Sequence, residues 1–307
     1  MSTSNQLDMN SSQNLGMLSP FLEQPGLATS GHLGQGYLAF RSFGVGFELA
    51  ASEAKLLREA LTYLPLESKR CVNVLVGPRY SLVRSSTASE SDKTTHRLYR
   101  DGRRLFTCGD RRELLECFGS IVSLYVAEAS LKRTFVHAGV VGWGRAAILI
   151  PGRSFSGKTS LVAALVRAGA TYYSDEFAVV DKRGMVHPYA RPLQVRENGS
   201  YRQTRRVVEE IGGVAGKRPL PVGLVIVSRY KPGARWAPRQ LSPGIGLLKI
   251  LDNTVSARRS PAIALSTLKQ LVSDAIIVKG IRGEVAQVVD WIAARCGPLH
   301  GHSESRE

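Results

Sequence analysis

Apolar positions along the chain follow two periods, and their alternation marks out the elements. Ala146-Ala147-Ile148-Leu149-Ile150 is a short unbroken apolar run, suited to a strand buried on both faces and ended by Pro151. Directly after it Leu161, Val162, Leu165 and Val166 recur at helical spacing, and Gly169 stands where a helix C-terminus is capped. Thr171 to Val180 and Met185 to Tyr189 read as two strands joined by a turn at Asp181-Lys182-Arg183-Gly184, and Leu224 to Val227 as another buried strand. Residues 246–259 and 261–273 read as helices, and Val285 to Arg295 as a last amphipathic helix. Residues 199–220 are polar, basic and Gly-rich without a clear period. Strands alternating with helices predict an α/β domain.

The stretch before it reads as α+β. Tyr37 to Phe43 and Gly46 to Leu49 are expected to pair as strands. Ser52 is a plausible N-cap for a helix from Glu53 to Tyr63 with Leu56, Leu57, Ala60 and Leu61 on its apolar face. Val72 to Val76 is strand-like, and residues 84–95, rich in Ser and Thr, suit an exposed loop. Leu98 to Phe106 reads as a hairpin turning at Asp101-Gly102. Asp110-Arg111-Arg112-Glu113 is a capping-box pattern. The helix it opens should run to about Lys132 and bury Leu114, Leu115, Phe118, Val122, Tyr125 and Val126. Residues 1–36 hold no Lys or Arg and are rich in Ser, Gln, Asn and Gly, which predicts a disordered tail. The expected organisation is therefore a tail (1–36), a smaller α+β domain (37–132) and an α/β domain (133–307), with no internal repeat.

Composition changes this picture little. A chain of 307 residues with 43% hydrophobic and 21% charged content is long enough for real cores and has the balance of a soluble protein. No apolar run nears the length of a membrane span and no signal peptide is evident, so a cytoplasmic location without membrane attachment is expected. Cys71, Cys108, Cys117 and Cys296 show no metal or redox spacing and read as reduced thiols. The net charge of +16 is scattered in pairs such as Arg103-Arg104, Arg111-Arg112, Arg205-Arg206 and Arg258-Arg259. A nucleic-acid binder usually gathers its charge on one stripe, so a solvated basic surface is the better reading. A polyphosphate ligand or an acidic protein partner also suits the charge. A homo-oligomer stays open.

Candidate chemistry concentrates in one segment. Gly152-Arg153-Ser154-Phe155-Ser156-Gly157-Lys158-Thr159, followed by Ser160, is a full match to the phosphate-binding pattern G-x-x-x-x-G-K-[ST]. Gly152 and Gly157 let the backbone curl so that its N–H groups face a phosphate. Lys158 supplies a charge for the β- and γ-phosphates, and Thr159 a hydroxyl for Mg²⁺. The match lies between an expected strand and an expected helix, as binding at a helix N-terminus requires.

A second acidic signal follows. Tyr172-Tyr173-Ser174-Asp175-Glu176 places two acids just after an apolar strand, sixteen residues beyond Thr159. Such acids could hold Mg²⁺ or accept a proton from an attacking hydroxyl. They also fit an ordinary solvated strand end. Asp181 competes as a metal ligand, although its place in a turn favours local Asx bonding.

His137-Ala138-Gly139-Val140-Val141, the loop at 152–160, Gly169 and Ser174-Asp175-Glu176 together resemble the kinase domain of HPr kinase/phosphorylase and its relatives. The resemblance covers residues 133–200 well and 220–295 in outline, and leaves residues 37–132 unmatched. It implies a mixed-sheet P-loop kinase fold of the HPr kinase and phosphoenolpyruvate carboxykinase type. It implies ATP and Mg²⁺ held by Lys158 and Thr159, and Asp175 beside the transferred phosphoryl group as base or metal ligand. Glu176 stands where the family has a second Asp and would bind metal directly or through water. His137 would lie beside the loop and interact with Asp175 or phosphate, and Arg196 matches an arginine bordering the acceptor site. The residues after Arg196 are Glu-Asn-Gly rather than the family's Gly-rich continuation, which argues against HPr as acceptor and against phosphorolysis. The expected activity is transfer of the γ-phosphoryl group of ATP to a hydroxyl of a protein, a peptide or a small molecule. A nucleotide-binding regulatory protein is the alternative. A mechanical ATPase fits less well because the Leu224 to Val227 strand ends in Ser228 rather than an acid.

Overall fold

The computed structural model describes residues 36–72, 77–86, 94–152, 156–196 and 203–297. The expected tail, residues 73–76 of the expected Val72 to Val76 strand and residues 87–93 of the expected 84–95 loop lie outside the described residues, and the two ends of that loop, 84–86 and 94–95, are paired strand instead. The chain divides into two compact units, one ending at Val126 and one beginning at Ala127. Among the described residues no helix is long and apolar enough to cross a membrane.

The N-terminal unit holds a six-stranded mixed sheet. Its strands are β1 (Leu38–Ser42), β2 (Val45–Ala51), β3 (Lys69–Cys71), β4 (Arg79–Ser86), β5 (Thr94–Arg100) and β6 (Arg103–Cys108), in the order β3-β1-β2-β4-β5-β6. β2 and β4 run parallel and the other neighbours antiparallel. The β5–β6 turn is the expected Asp101-Gly102, both at positive φ (52° and 78°), as a two-residue hairpin demands. Helix α1 (Ala54–Leu61) buries Leu56, Leu57 and Ala60, while Leu61 is exposed. Ser52 does not cap it. Its hydroxyl accepts the Arg84 N–H at 2.9 Å, a cross-strand bond that takes the side chain away from the helix. Helix α2 (Arg111–Ala129) is capped as expected, with Asp110 Oδ1 accepting the Glu113 N–H at 2.8 Å. It stops three residues short of Lys132, and Tyr125 is only half-buried.

The C-terminal unit is built on an eight-stranded mixed sheet. Its strands are β7 (Thr134–Trp143), β8 (Ala146–Pro151), β9 (Thr171–Ser174), β10 (Phe177–Val180), β11 (Val186–His187), β14 (Val222–Tyr230), β15 (Arg239–Gln240) and β16 (Ile276–Arg282). The order is β11-β10-β7-β8-β14-β16-β15, with β9 also on β7. A separate two-stranded ribbon joins β12 (Leu193–Arg196) to β13 (Gln203–Arg206). The parallel strands β8, β14 and β16 sit next to one another. Side chains alternate between two cores. Val141, Ile148, Ile150, Leu224, Ile226 and Val278 face helices α3 (Lys158–Arg167) and α6 (Val285–Cys296). Val140, Ala147, Leu149, Val225 and Ile277 face helices α4 (Pro243–Leu251) and α5 (Pro261–Val272). The result is a helix–sheet–helix sandwich, with mixed α/β architecture throughout.

Three of the departures from the sequence pattern in this unit have a local cause. The expected strand from Thr171 to Val180 is interrupted at Asp175-Glu176. There Ser174 Oγ accepts the N–H groups of Glu176 (3.1 Å) and Phe177 (3.0 Å) and bends the chain. The expected helix 246–259 begins earlier, at Pro243 behind the N-cap Ser242, and ends at Leu251. Beyond it Asn253 Nδ2 and Thr254 Oγ1 donate to the carbonyls of Lys249 and Ile250, each at 3.0 Å, and a short 3₁₀ turn follows at 255–257. β16 was not anticipated, because Lys279 and Gly280 break its apolar run.

Candidate functional site

Strand β8 carries the phosphate loop. Ala147, Ile148, Leu149 and Ile150 are all fully or almost fully buried. Burying each large aliphatic side chain contributes about 1.5–3 kcal/mol, whereas a single hydrogen bond nets about 1 kcal/mol. The buried strand therefore anchors the N-terminal end of the loop. Gly152 leaves the strand with its N–H on the His137 carbonyl at 3.1 Å. Gly157 enters α3 at φ 81°, in the left-handed region that glycine tolerates best. Arg153, Ser154 and Phe155 lie outside the described residues. Ser156, Lys158 and Thr159 are half-buried and Ser160 is exposed.

The interruption in the strand returns two acids to this helix N-terminus. Ser174 pairs with Val140 and Phe177 with His137, both on β7, so Asp175 and Glu176 fall between them on the side of β7 away from β8, and Asp175 reaches α3 through Thr159. Thr159 Oγ1 donates to Asp175 Oδ2 at 3.2 Å. The Tyr172 hydroxyl lies 3.1 Å from Asp175 Oδ1 and 2.8 Å from the Arg191 carbonyl, and its one proton serves one of them at a time. Burial and the Asp175 charge push that phenol well above its usual range, so it stays a donor. Glu176 is held from the other side by Arg191 Nη1 at 3.2 Å. Burial pushes the Glu176 carboxyl upward, and the guanidinium of Arg191 acts against that shift.

Electrostatics tune the two basic groups. Burial lowers the Lys158 ammonium to about 8, and Asp175 partly offsets that. Burial, with the Lys158 charge, lowers the His137 imidazole to about 4. His137 packs on the Phe177 ring at 4.7 Å between centroids and bonds to the Glu176 backbone. It is thus neutral near pH 7 and able to donate and accept. Titrated by NMR, its ring protons should show no midpoint between pH 5.5 and 8. A midpoint near 6.5 would place His137 in solvent and remove it from the site.

The structure brings Gly152, Ser156, Gly157, Lys158, Thr159, Asp175, Glu176 and His137 into one locality. Arg196 lies on β12, which runs along α3, but its side chain falls outside the described residues. Asp181 is not part of the site. Its Oδ1 accepts the N–H groups of Arg183 and Met185, and Oδ2 meets His187 at 2.9 Å, the turn chemistry expected of it. Three contributors escaped the sequence reading: Tyr172 through its hydroxyl, Arg191, and Arg282 at the end of β16. Arg282 Nη2 donates to the Gly157 carbonyl at 2.8 Å and to the Ser156 carbonyl at 3.5 Å. No local pattern marks Arg282, since Lys279 and Gly280 interrupt the apolar run that it ends.

Among the described residues no three His, Cys, Asp or Glu side chains converge as a metal cage. Mg²⁺ usually takes one or two carboxylates and completes its shell with phosphate oxygens and water. Thr159 and Asp175 offer oxygen donors of that kind. A cavity of about 460 Å³ on the N-terminal unit is lined by Tyr37, Glu48, Arg70 and Val72, among others. Its buried acid Glu48 is already paired with Arg79 at 2.7 Å, so it offers no comparable chemistry. No protein-family model matches the chain, and no curated protein matches it.

Proposed function

We propose that the chain is an ATP- and Mg²⁺-dependent kinase of the HPr-kinase type, passing the γ-phosphoryl group to a hydroxyl of a protein, a peptide or a small molecule. The observation that carries this reading is the Thr159–Asp175 contact at 3.2 Å. It sets a carboxylate against the hydroxyl that follows the loop lysine, at the N-terminus of α3, where phosphates bind. A carboxylate at that point can hold a divalent ion against a phosphate chain or orient an acceptor hydroxyl.

The residues divide the work by position. Loop N–H groups and Lys158 would cradle the β- and γ-phosphates and neutralise charge as it develops on the transferred group. Thr159 and Asp175 would hold Mg²⁺, which when bound supplies further neutralisation of the phosphate oxygens. Asp175 Oδ1 would accept the acceptor's proton once the Tyr172 hydroxyl turns to the Arg191 carbonyl, its second partner. His137, neutral, would hydrogen-bond to phosphate or to Asp175. Arg191 holds Glu176 at 3.2 Å, and Arg196 would border the acceptor site as the resemblance implies. The reading goes with a cytoplasmic protein that needs neither membrane nor nucleic acid.

The alternative, a regulatory protein that binds nucleotide without transferring phosphate, draws on a specific observation. Both Asp175 oxygens already have hydrogen-bond partners in Thr159 and Tyr172. Purified protein incubated with γ-labelled ATP, Mg²⁺ and fractionated cell extract separates the two. A kinase yields ADP and a labelled acceptor, and EDTA stops both. Nucleotide retained without ADP formation or label transfer would favour the regulator.

A further inference from the structure

Arg282 is among the most buried charged residues described, 2% exposed, and it lies against the phosphate loop. Its Nη2 donates to the carbonyls of Gly157 and Ser156, and Nη1 to the carbonyl of Gly283 at 3.4 Å. Its guanidinium packs over the Tyr230 ring at 5.4 Å. A side chain at Gly157 would run into Arg282 Nη2, so the glycine is required for this approach as well as for its positive φ. Among the described residues no carboxylate comes within ion-pair distance of Arg282. Glu284 acts on it only from further away, and Nε has no partner. A buried cation without an anion is costly, and such sites are usually completed by a counter-charge.

Peptide geometry gives the contact a direction. In a trans peptide the C=O and the following N–H point oppositely. Holding the Ser156 and Gly157 carbonyls on the Arg282 side therefore turns the N–H groups of Gly157 and Lys158 away from Arg282. Those are the groups that a phosphate-binding loop offers to its ligand.

We propose that Arg282 is the positioning residue of the phosphate loop, and that the polyphosphate bound on the loop's opposite side is the counter-charge its buried guanidinium lacks. This rests on the nucleotide-binding half of the function proposed above and not on phosphoryl transfer. Arg282→Met keeps most of the volume and removes charge and donors, and Arg282→Lys keeps the charge with a single donor head. Binding of a fluorescent ADP, and its displacement by inorganic tripolyphosphate, is measured for the wild type and both variants, alongside thermal melting with and without ADP.

The expected result is at least about a 30-fold loss of affinity for both ADP and tripolyphosphate in Arg282→Met, the scale of losing charged hydrogen bonds. Arg282→Lys should recover part of that loss. The ligand-free melting temperature of Arg282→Met should be unchanged or higher, and its rise on adding ADP smaller. A merely structural arginine gives the reverse: lower ligand-free melting with an unchanged ADP-induced rise. That outcome, or ADP affinity equal to wild type in both variants, overturns the proposal. If Arg282→Met does not fold, Arg282→Lys binding ADP as tightly as wild type overturns it. Wild-type protein that binds neither ADP nor tripolyphosphate overturns this proposal and the kinase reading together, whereas variants matching a wild type that binds overturn this one alone.

Discussion

Asp175→Asn should lower phosphoryl transfer by about 10²–10⁴-fold, the range for losing a positioned proton acceptor, while ADP affinity changes by less than about tenfold. The substitution is nearly isosteric. An Asn oxygen can still accept from Thr159 or from the Tyr172 hydroxyl, which lie 3.2 and 3.1 Å from the two carboxylate oxygens. What it loses is the charge and the capacity to take a proton. One consequence sets the assay conditions. Asp175 is the group that raises the Lys158 pKa against burial, so in its absence the ammonium falls below about 8. Assays near pH 7 or lower keep that second effect small. A steady-state comparison in which Asp175→Asn turns over at the wild-type rate would remove Asp175 from the chemistry and leave the regulatory reading in its place.

The contrast between Asp175 and Arg282 shows what a single sequence can disclose. The loop, its strand and its helix were legible because each obeys a local rule: an unbroken apolar run, a glycine at φ 81°, a 3.6-residue period and a glycine at φ 100° after the helix. The hairpin at Asp101-Gly102 and the capping Asp110 were legible for the same reason. Asp175 was found through its spacing from Thr159, yet the bend that aims it depends on Ser174 and could not be told from a continuous strand. Arg282 is separated by 125 residues from the carbonyl it holds. Nothing local announces that contact, since it follows from β16 lying parallel to β14, itself parallel to β8. Arg191 was hidden similarly, because its partner Glu176 is reached only after the chain turns back. The helix ends were misplaced where side chains of Ser52, Asn253 and Thr254 took backbone partners that the hydrophobic pattern does not encode.

Lys158→Met should cost at least about 10²–10³-fold in transfer, the effect of removing one donor aimed at developing charge, and should weaken ATP more than adenosine. The same substitution should leave the ligand-free fold as stable as wild type at pH 7, or more stable. The sign follows from linkage. Lys158 titrates near 8 in the folded protein against 10.5 unfolded, chiefly through burial. Between those values the unfolded chain binds the extra proton, so stability rises with pH across that window. Below about 8 the folded state carries the full cost of an ammonium it solvates poorly, on the order of 3 kcal/mol from the size of the shift. Above 10.5 the cost is gone. Urea unfolding at pH 7 and at pH 9.5 measures it directly: the wild type should gain stability over that interval relative to Lys158→Met. Saturating ADP should remove most of that difference, because phosphate adds negative charge beside the ammonium in the folded state only. Equal pH dependence in the two proteins would mean that the Lys158 ammonium is solvated in the ligand-free state, and that the loop is not poised for an anion in the way its burial implies.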